Sequence, residues 1–245
     1  MGCLIVGCLM LITVPTIADQ LLVAVASNFI QPAKELGDLY ERKTGVKIKW
    51  VVASSGKHYA QIIHGAPYDV FLSADQTKVV KLIKINAAIA ETHITYAQGQ
   101  LALYSPSSNI SPNSLEALIT SIDKFAIANA KLAPYGAAAK AYLQHLFVYQ
   151  TMANRKSLVI GENINQAFQF VETGNAQAGL VAMSQLVNKN KASYKLIDTE
   201  LYPAILQDGV VLSRSNNIPQ AKAFMNFLKQ AEVTNIIKKY GYLIP

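Results

Sequence analysis

A two-lobed α/β architecture is what this sequence predicts, and three observations carry it. Short apolar runs of strand length alternate with amphipathic stretches of helical length, the pattern of mostly parallel mixed sheets flanked by helices. Two stretches read as joints, Ser105 to Ser114, rich in Ser, Pro and Asn, and Leu201 to Gln207 around Pro203. They divide the chain into a discontinuous lobe, 19–104 plus 205–245, and an inserted lobe, 105–204, with a ligand cleft expected between them. An apolar fraction of 51% against 15% charged residues excludes disorder, because such a chain has ample surface to bury against its ordering entropy.

The elements follow in order. Leu21 to Ala26 is a continuous apolar run, a buried strand; Phe29 to Thr44 carries Ala33, Leu36, Leu39 and Tyr40 at helical spacing, and Gly45 ends it as a left-handed cap. Val46 to Ala53 alternates and then turns apolar, a strand, and helix is expected over Lys57 to His64 and Thr77 to Ile83 around a strand at Val70 to Leu72. Further strands are expected at Gln100 to Tyr104, Phe125 to Ala128, Leu158 to Ile160, Ala178 to Val181 and Leu206 to Leu212. Helices are expected at Gly136 to Phe147, Asn165 to Thr173, Pro219 to Lys229 and Val233 to Tyr240.

The N-terminus reads differently. Residues 1–18 contain no charged side chain, and the apolar stretch Leu4 to Val14 is too short for a bilayer, which takes about 20 residues as a helix. Pro15 and the small-x-small ending Thr16-Ile17-Ala18 follow, so residues 1–18 are expected to be a signal peptide cleaved after Ala18, although no Lys or Arg precedes the apolar run. A lipid anchor at Cys8 is disfavoured, since seven residues are too few for an export segment. Cleavage would remove both cysteines, Cys3 and Cys8, leaving a mature periplasmic chain without disulfide or thiol chemistry.

The net charge of +7 invites a polyanionic partner, yet the lysines are dispersed and only Arg42, Arg155 and Arg214 supply guanidinium groups. Nucleic acid is therefore not expected as a partner. A hydrolase reading fares little better. Ser54 and Lys57 form Ser-x-x-Lys, and Lys43-Thr44-Gly45 supplies a second signature of serine acyl enzymes, but in reversed order and without the Ser-Asp-Asn element. His58, His64, His93 and His145 show no metal-ligand spacing, and Asp69 and Asp75 need no more than capping roles.

What remains is a theme at four strand-to-helix turns: Ser27-Asn28, Ser54-Ser55-Gly56, Pro134-Tyr135-Gly136 and Glu162-Asn163-Ile164-Asn165. Each sets hydroxyls, amides and unpaired backbone N–H groups at a helix start, where the macrodipole favours an anion. A site of neutral donors can hold a dianion through many charge-assisted hydrogen bonds. It discriminates anions of like charge by size, since a smaller ion leaves donors unpaired at about 1–3 kcal/mol each. Protonated phosphate needs an acceptor, for which Glu162 is the one candidate.

The segments LLVAVASNF, VVASSGKHYAQIIHGAPYDVFLSADQ, ANAKLAPYGAAAKAYL, GENINQAFQFVETGNAQAGLVAMSQL and KKYGYLIP together resemble the periplasmic molybdate-binding proteins of ABC transporters. The resemblance spans essentially all of Asp19 to Pro245. It implies the type II periplasmic binding protein fold, a monomer with no enzymatic activity and no cofactor, and molybdate or tungstate as ligand. It also implies a membrane permease as partner. It places Ser27, Asn28, Ser55, Tyr135 and the N–H of Ile164 on the anion. Ala182 stands where one branch of the family has a binding tyrosine, so the resemblance is to the branch in which the tyrosine of the Ala-Pro-Tyr-Gly motif serves. Another oxyanion such as sulfate is the alternative ligand. Trp50, in the strand leading to Ser55, is expected to report lobe closure by fluorescence.

Overall fold

The computed structural model describes residues 20–107, 119 and 121–245; the expected export segment and most of the Ser105 to Ser114 joint lie outside them. Two sheets of five strands organise the described chain. The first has the order β2-β1-β3-β10-β4, built from β1 (Gln20–Ala26), β2 (Lys47–Ala53), β3 (Val70–Ser73), β4 (Ile94–Gly99) and β10 (Ile205–Val211). The second repeats that arrangement as β7-β6-β8-β5-β9, from β5 (Leu101–Tyr104), β6 (Phe125–Ala128), β7 (Leu158–Gly161), β8 (Ala178–Ala182) and β9 (Tyr194–Leu196). In each sheet one strand runs against the others, β10 in the first and β5 in the second. Each is the first strand laid down after the chain crosses from the other lobe.

Helices cover both sheets: α1 (Ile30–Thr44), α2 (Ser55–Ile63), α3 (Gln76–Lys84), α7 (Ile218–Phe227) and α8 (Ala231–Lys239) on the first, α4 (Pro134–His145), α5 (Tyr149–Asn154) and α6 (Ile164–Glu172) on the second. α1 stops where Gly45 takes φ +76° and returns its N–H to Glu41 O. Parallel strands covered on both faces must be apolar throughout, and β1, β3, β6 and β8 are almost entirely buried. Each lobe has its own core, around Phe29, Leu36 and Phe224 in the first and Phe125, Tyr142 and Leu180 in the second.

Three expectations change. The first crossing lies between β4 and β5, because Leu101–Tyr104 pairs with β8 and β9 rather than with the first sheet; the lobe boundary expected after Tyr104 falls at Gly99-Gln100. Gln100 alone separates the two strands, so the sequence shows one run where the chain changes sheets, and β4 escapes notice. Asp69 is no cap. Its buried carboxylate accepts from Leu22 N at 2.8 Å, Ser215 Oγ at 2.6 Å and Asn217 Nδ2 at 3.3 Å, tying β1 to the segment before α7. Asp69→Ala, which strands these donors, is expected to lower unfolding stability by about 3 kcal/mol in urea titration; a loss below about 1 kcal/mol would show the bracket to be dispensable. Finally, Trp50 packs on Gly37 and the Phe224 ring on the helix-covered side of the first lobe, away from the cleft, so its fluorescence reports the lobe interior rather than closure.

Candidate functional site

The four turns meet. Ala26, Ser27, Asn28, Ser54, Ser55 and Ala74 from the first lobe and Ala133, Pro134, Tyr135 and Ile164 from the second line one small cavity between the lobes. All five residues singled out in the sequence are among them, and no charged side chain is. Ser27 and Asn28 also line a wider interlobe groove of about 340 Å³.

Accounting for the first-turn N–H groups shows what the cavity offers. In α2, Gly56 N donates to Leu132 O at 2.9 Å across the lobes, and Lys57 N to the N-cap Ser54 Oγ at 3.3 Å. The Ser55 N–H is left without an acceptor among the described residues. In α6, the cap Asn163 Oδ1 takes both Asn165 N at 3.0 Å and Gln166 N at 3.1 Å, which leaves Ile164 N–H. In α4, Pro134 has no N–H, and Ala137 N reaches Ala133 O at 3.0 Å, so the spare donors are those of Tyr135 and Gly136. Short 3-10 geometry over Ser27–Phe29, running into α1, leaves the N–H groups of Ser27 and Asn28 in the same position.

Side chains complete the set. Ser55 is fully buried, and its Oγ accepts from Ala74 N at 2.9 Å; with a lone pair so engaged, the hydroxyl proton is free to donate into the cavity. Asn28 is more constrained than its position suggests. Both Nδ2 protons are committed, to Gln207 Oε1 at 2.8 Å and Tyr242 Oη at 2.9 Å, while its backbone carbonyl accepts from Ser184 Oγ at 2.8 Å and Tyr242 Oη at 2.9 Å. Its backbone N–H is therefore the donor it can lend. A β-bulge between Gln207 and Asp208 aims Gln207 at this amide. Gln207, Ser184 and Tyr242 were not singled out in the sequence, since each lies outside the turn motifs.

Tyr135 lines the cavity, and its Oη lies beside Gly99 and Gln207, neither of which lines it. Burial, reinforced by the neighbouring Tyr242 and Tyr202, holds its pKa well above the usual phenol value, so it stays neutral.

Charge enters only at the edge. Lys57 Nζ, on the first lobe, pairs with Glu162 Oε1, on the second, at 2.9 Å, and both side chains are nearly half exposed. This engages the one carboxylate that could have accepted a proton from a protonated anion. It also removes the lysine from Ser54, whose hydroxyl caps α2; the Ser54 and Lys57 hydrolase reading lacks its base. His58 is a buried neutral residue with Nε2 against Val25 O at 3.1 Å, its pKa lowered by desolvation. Among the described residues no group of three or more potential metal ligands occurs. Because the Lys57–Glu162 pair is exposed, Glu162→Gln is expected to speed anion release only about two- to fivefold, and less at 0.5 M salt, in stopped-flow measurements. A salt-independent change would rule out an electrostatic role.

Two α/β lobes that bring neutral donors from four helix starts around a cavity between them are the architecture of a solute-binding protein. A family model described as bacterial extracellular solute-binding protein matches residues 21–243, and the chain belongs to that family. It is 41% identical over 232 residues to the molybdate-binding protein ModA of Rhodobacter capsulatus, covering 95% of this chain and 91% of that one. Identity to ModA of Azotobacter vinelandii is 40% over 229 residues, covering 92% and 90%. The solved periplasmic molybdate-binding protein of Azotobacter vinelandii superposes with a TM-score of 0.88 at 31% identity, covering 92% of this chain and 99% of that one. The sulfate-binding protein SubI of Mycobacterium tuberculosis, at 11% identity and a TM-score of 0.71, shares the fold.

Proposed function

We propose that this protein captures molybdate or tungstate in the periplasm and delivers it to the membrane permease of an ABC transporter. The observation that carries the reading is the cavity of neutral donors drawn from four helix starts on two lobes, lined by Ser27, Asn28, Ser55, Tyr135 and Ile164. In this reading Ser27 and Asn28 donate backbone N–H groups, Ser55 its N–H and hydroxyl, and Tyr135 and Ile164 their backbone N–H groups. Such a set suits an unprotonated tetrahedral dianion: every contact is a donor, and the low dielectric of a closed cleft strengthens each bond. Protonated phosphate meets no free acceptor, because Glu162 is held by Lys57. The export segment at 1–18 and a monomeric state belong to the same proposal. So does the two-lobed division, with the crossings at Gly99-Gln100 and before Ile205.

Calorimetric titration of the mature chain with molybdate, tungstate, sulfate and phosphate tests it. The expected result is tight binding of the first two and weak or no binding of the others. Tight binding of sulfate without molybdate would instead support the alternative receptor.

A further inference from the structure

Resting on that functional reading, we propose that Gly99 and the phenol of Tyr135 form the stop that fixes how far the lobes close, and so set the size of anion the cavity accepts. Gly99 is the last residue of β4, at the first crossing between the lobes. Tyr135 lies in the first turn of α4, on the other lobe. A Cβ on Gly99 would stand 2.1 Å from Tyr135 Oη, 2.9 Å from its Cζ and 3.0 Å from Gln207 Nε2. The phenol therefore occupies the space a side chain would take. Gly99 is not at positive φ, so the backbone does not require glycine there; the close approach of Tyr135 does.

The contact is well placed to act on the site. Tyr135 is fully buried, and its hydroxyl has no partner in hydrogen-bond geometry although the Tyr242 hydroxyl lies beside it; its placement against Gly99 is therefore held by packing rather than by a well-formed hydrogen bond. The ring meets β4 end-on at Gly99, and the same residue lines the cavity. Gln207, beside the contact, holds the Asn28 amide at 2.8 Å. A change in depth at Gly99 is thus transmitted to donors on both walls, and cavity size is the property that separates tetrahedral dianions of different radius.

The test is a double-mutant series in which wild type, Gly99→Ala, Tyr135→Phe and the double variant are each titrated with molybdate and sulfate. Gly99→Ala is expected to weaken molybdate binding by about tenfold or more through overpacking, and the double variant, which removes the 2.1 Å contact but keeps the Cζ one, to regain part of that loss. Tyr135→Phe alone, freed of the stop, is expected to narrow the molybdate-over-sulfate preference by about fivefold or more. Wild-type affinity in Gly99→Ala, no recovery in the double variant, or an unchanged preference in Tyr135→Phe would each overturn the stop. The wild-type titration separates the two ideas, because a wild type that binds no oxyanion overturns the functional reading alone. In that event the stop is read from spin labels at Lys84→Cys and Gln144→Cys, the described chain having no cysteine of its own. The shortest interlobe distance should lengthen in Gly99→Ala and return in the double variant; no difference would overturn the stop.

Discussion

Ser55→Ala is expected to weaken molybdate binding by about 10- to 100-fold. The hydroxyl is fully buried and its acceptor side is occupied by Ala74 N at 2.9 Å, so the proton has one direction left, into the cavity. A hydrogen bond to a charged group contributes about 1.5–3 kcal/mol, which is about one to two decades in Kd. Alanine also strands the Ala74 N–H, and that part of the cost falls on the unliganded protein as well, at about 1 kcal/mol of unfolding stability. Calorimetry and urea denaturation on the same variant separate the two terms. A variant with wild-type affinity would mean that the anion sits elsewhere in the cleft. One with lowered stability and unchanged affinity would reduce Ser55 to a brace for Ala74.

That a serine in a strand-to-helix turn matters was legible from the sequence, because the turn is a local event. An apolar run, a hydroxyl and a helix pattern occur within ten residues, and helix starts expose donors wherever they occur. The same locality made Gly45 readable as a helix stop and Asn163 as part of a helix start. What was not legible depends on the approach of segments far apart in the chain. Nothing in Ser27-Asn28 announces that the Asn28 amide is claimed by Gln207 and Tyr242, some 180 and 214 residues later. Tyr135 was expected on the anion, but nothing near it in the chain shows that its Oη lies beside Gly99 of the other lobe. Trp50 misled for the same reason: lying in the strand that leads to Ser55 says nothing about the face of the sheet it occupies. β4 and β5 were blurred because a single residue between two strands carries no turn signal, although the chain there leaves one sheet for another.

Gly56→Ala is expected to have the larger effect on binding and almost none on folding. Gly56 is in the first turn of α2 and not at positive φ, so alanine fits the helix and even favours it by about 0.5–1 kcal/mol. Across the cleft the situation reverses. The new Cβ would lie 2.8 Å from Leu132 O, 3.0 Å from Leu132 Cα and 3.3 Å from its carbonyl carbon, and these are backbone atoms that cannot swing aside as a side chain could. The Gly56 N–H bond to Leu132 O, 2.9 Å long, joins the two lobes at this point. Leu132 leads directly into Ala133, Pro134 and Tyr135, so pushing it outward also withdraws the second lobe's donors from the anion. Loss of affinity of about 100-fold or more is the expectation, with the unliganded variant as stable as the wild type. A 100-fold rise in Kd would cost up to about 2.7 kcal/mol of ligand-induced stabilisation. The molybdate-dependent rise in melting temperature should therefore largely vanish while the melting temperature without anion does not fall. Retention of the full rise would mean that Gly56 and Leu132 are not in contact when the anion is bound, and that the lobes hold it in a more open arrangement.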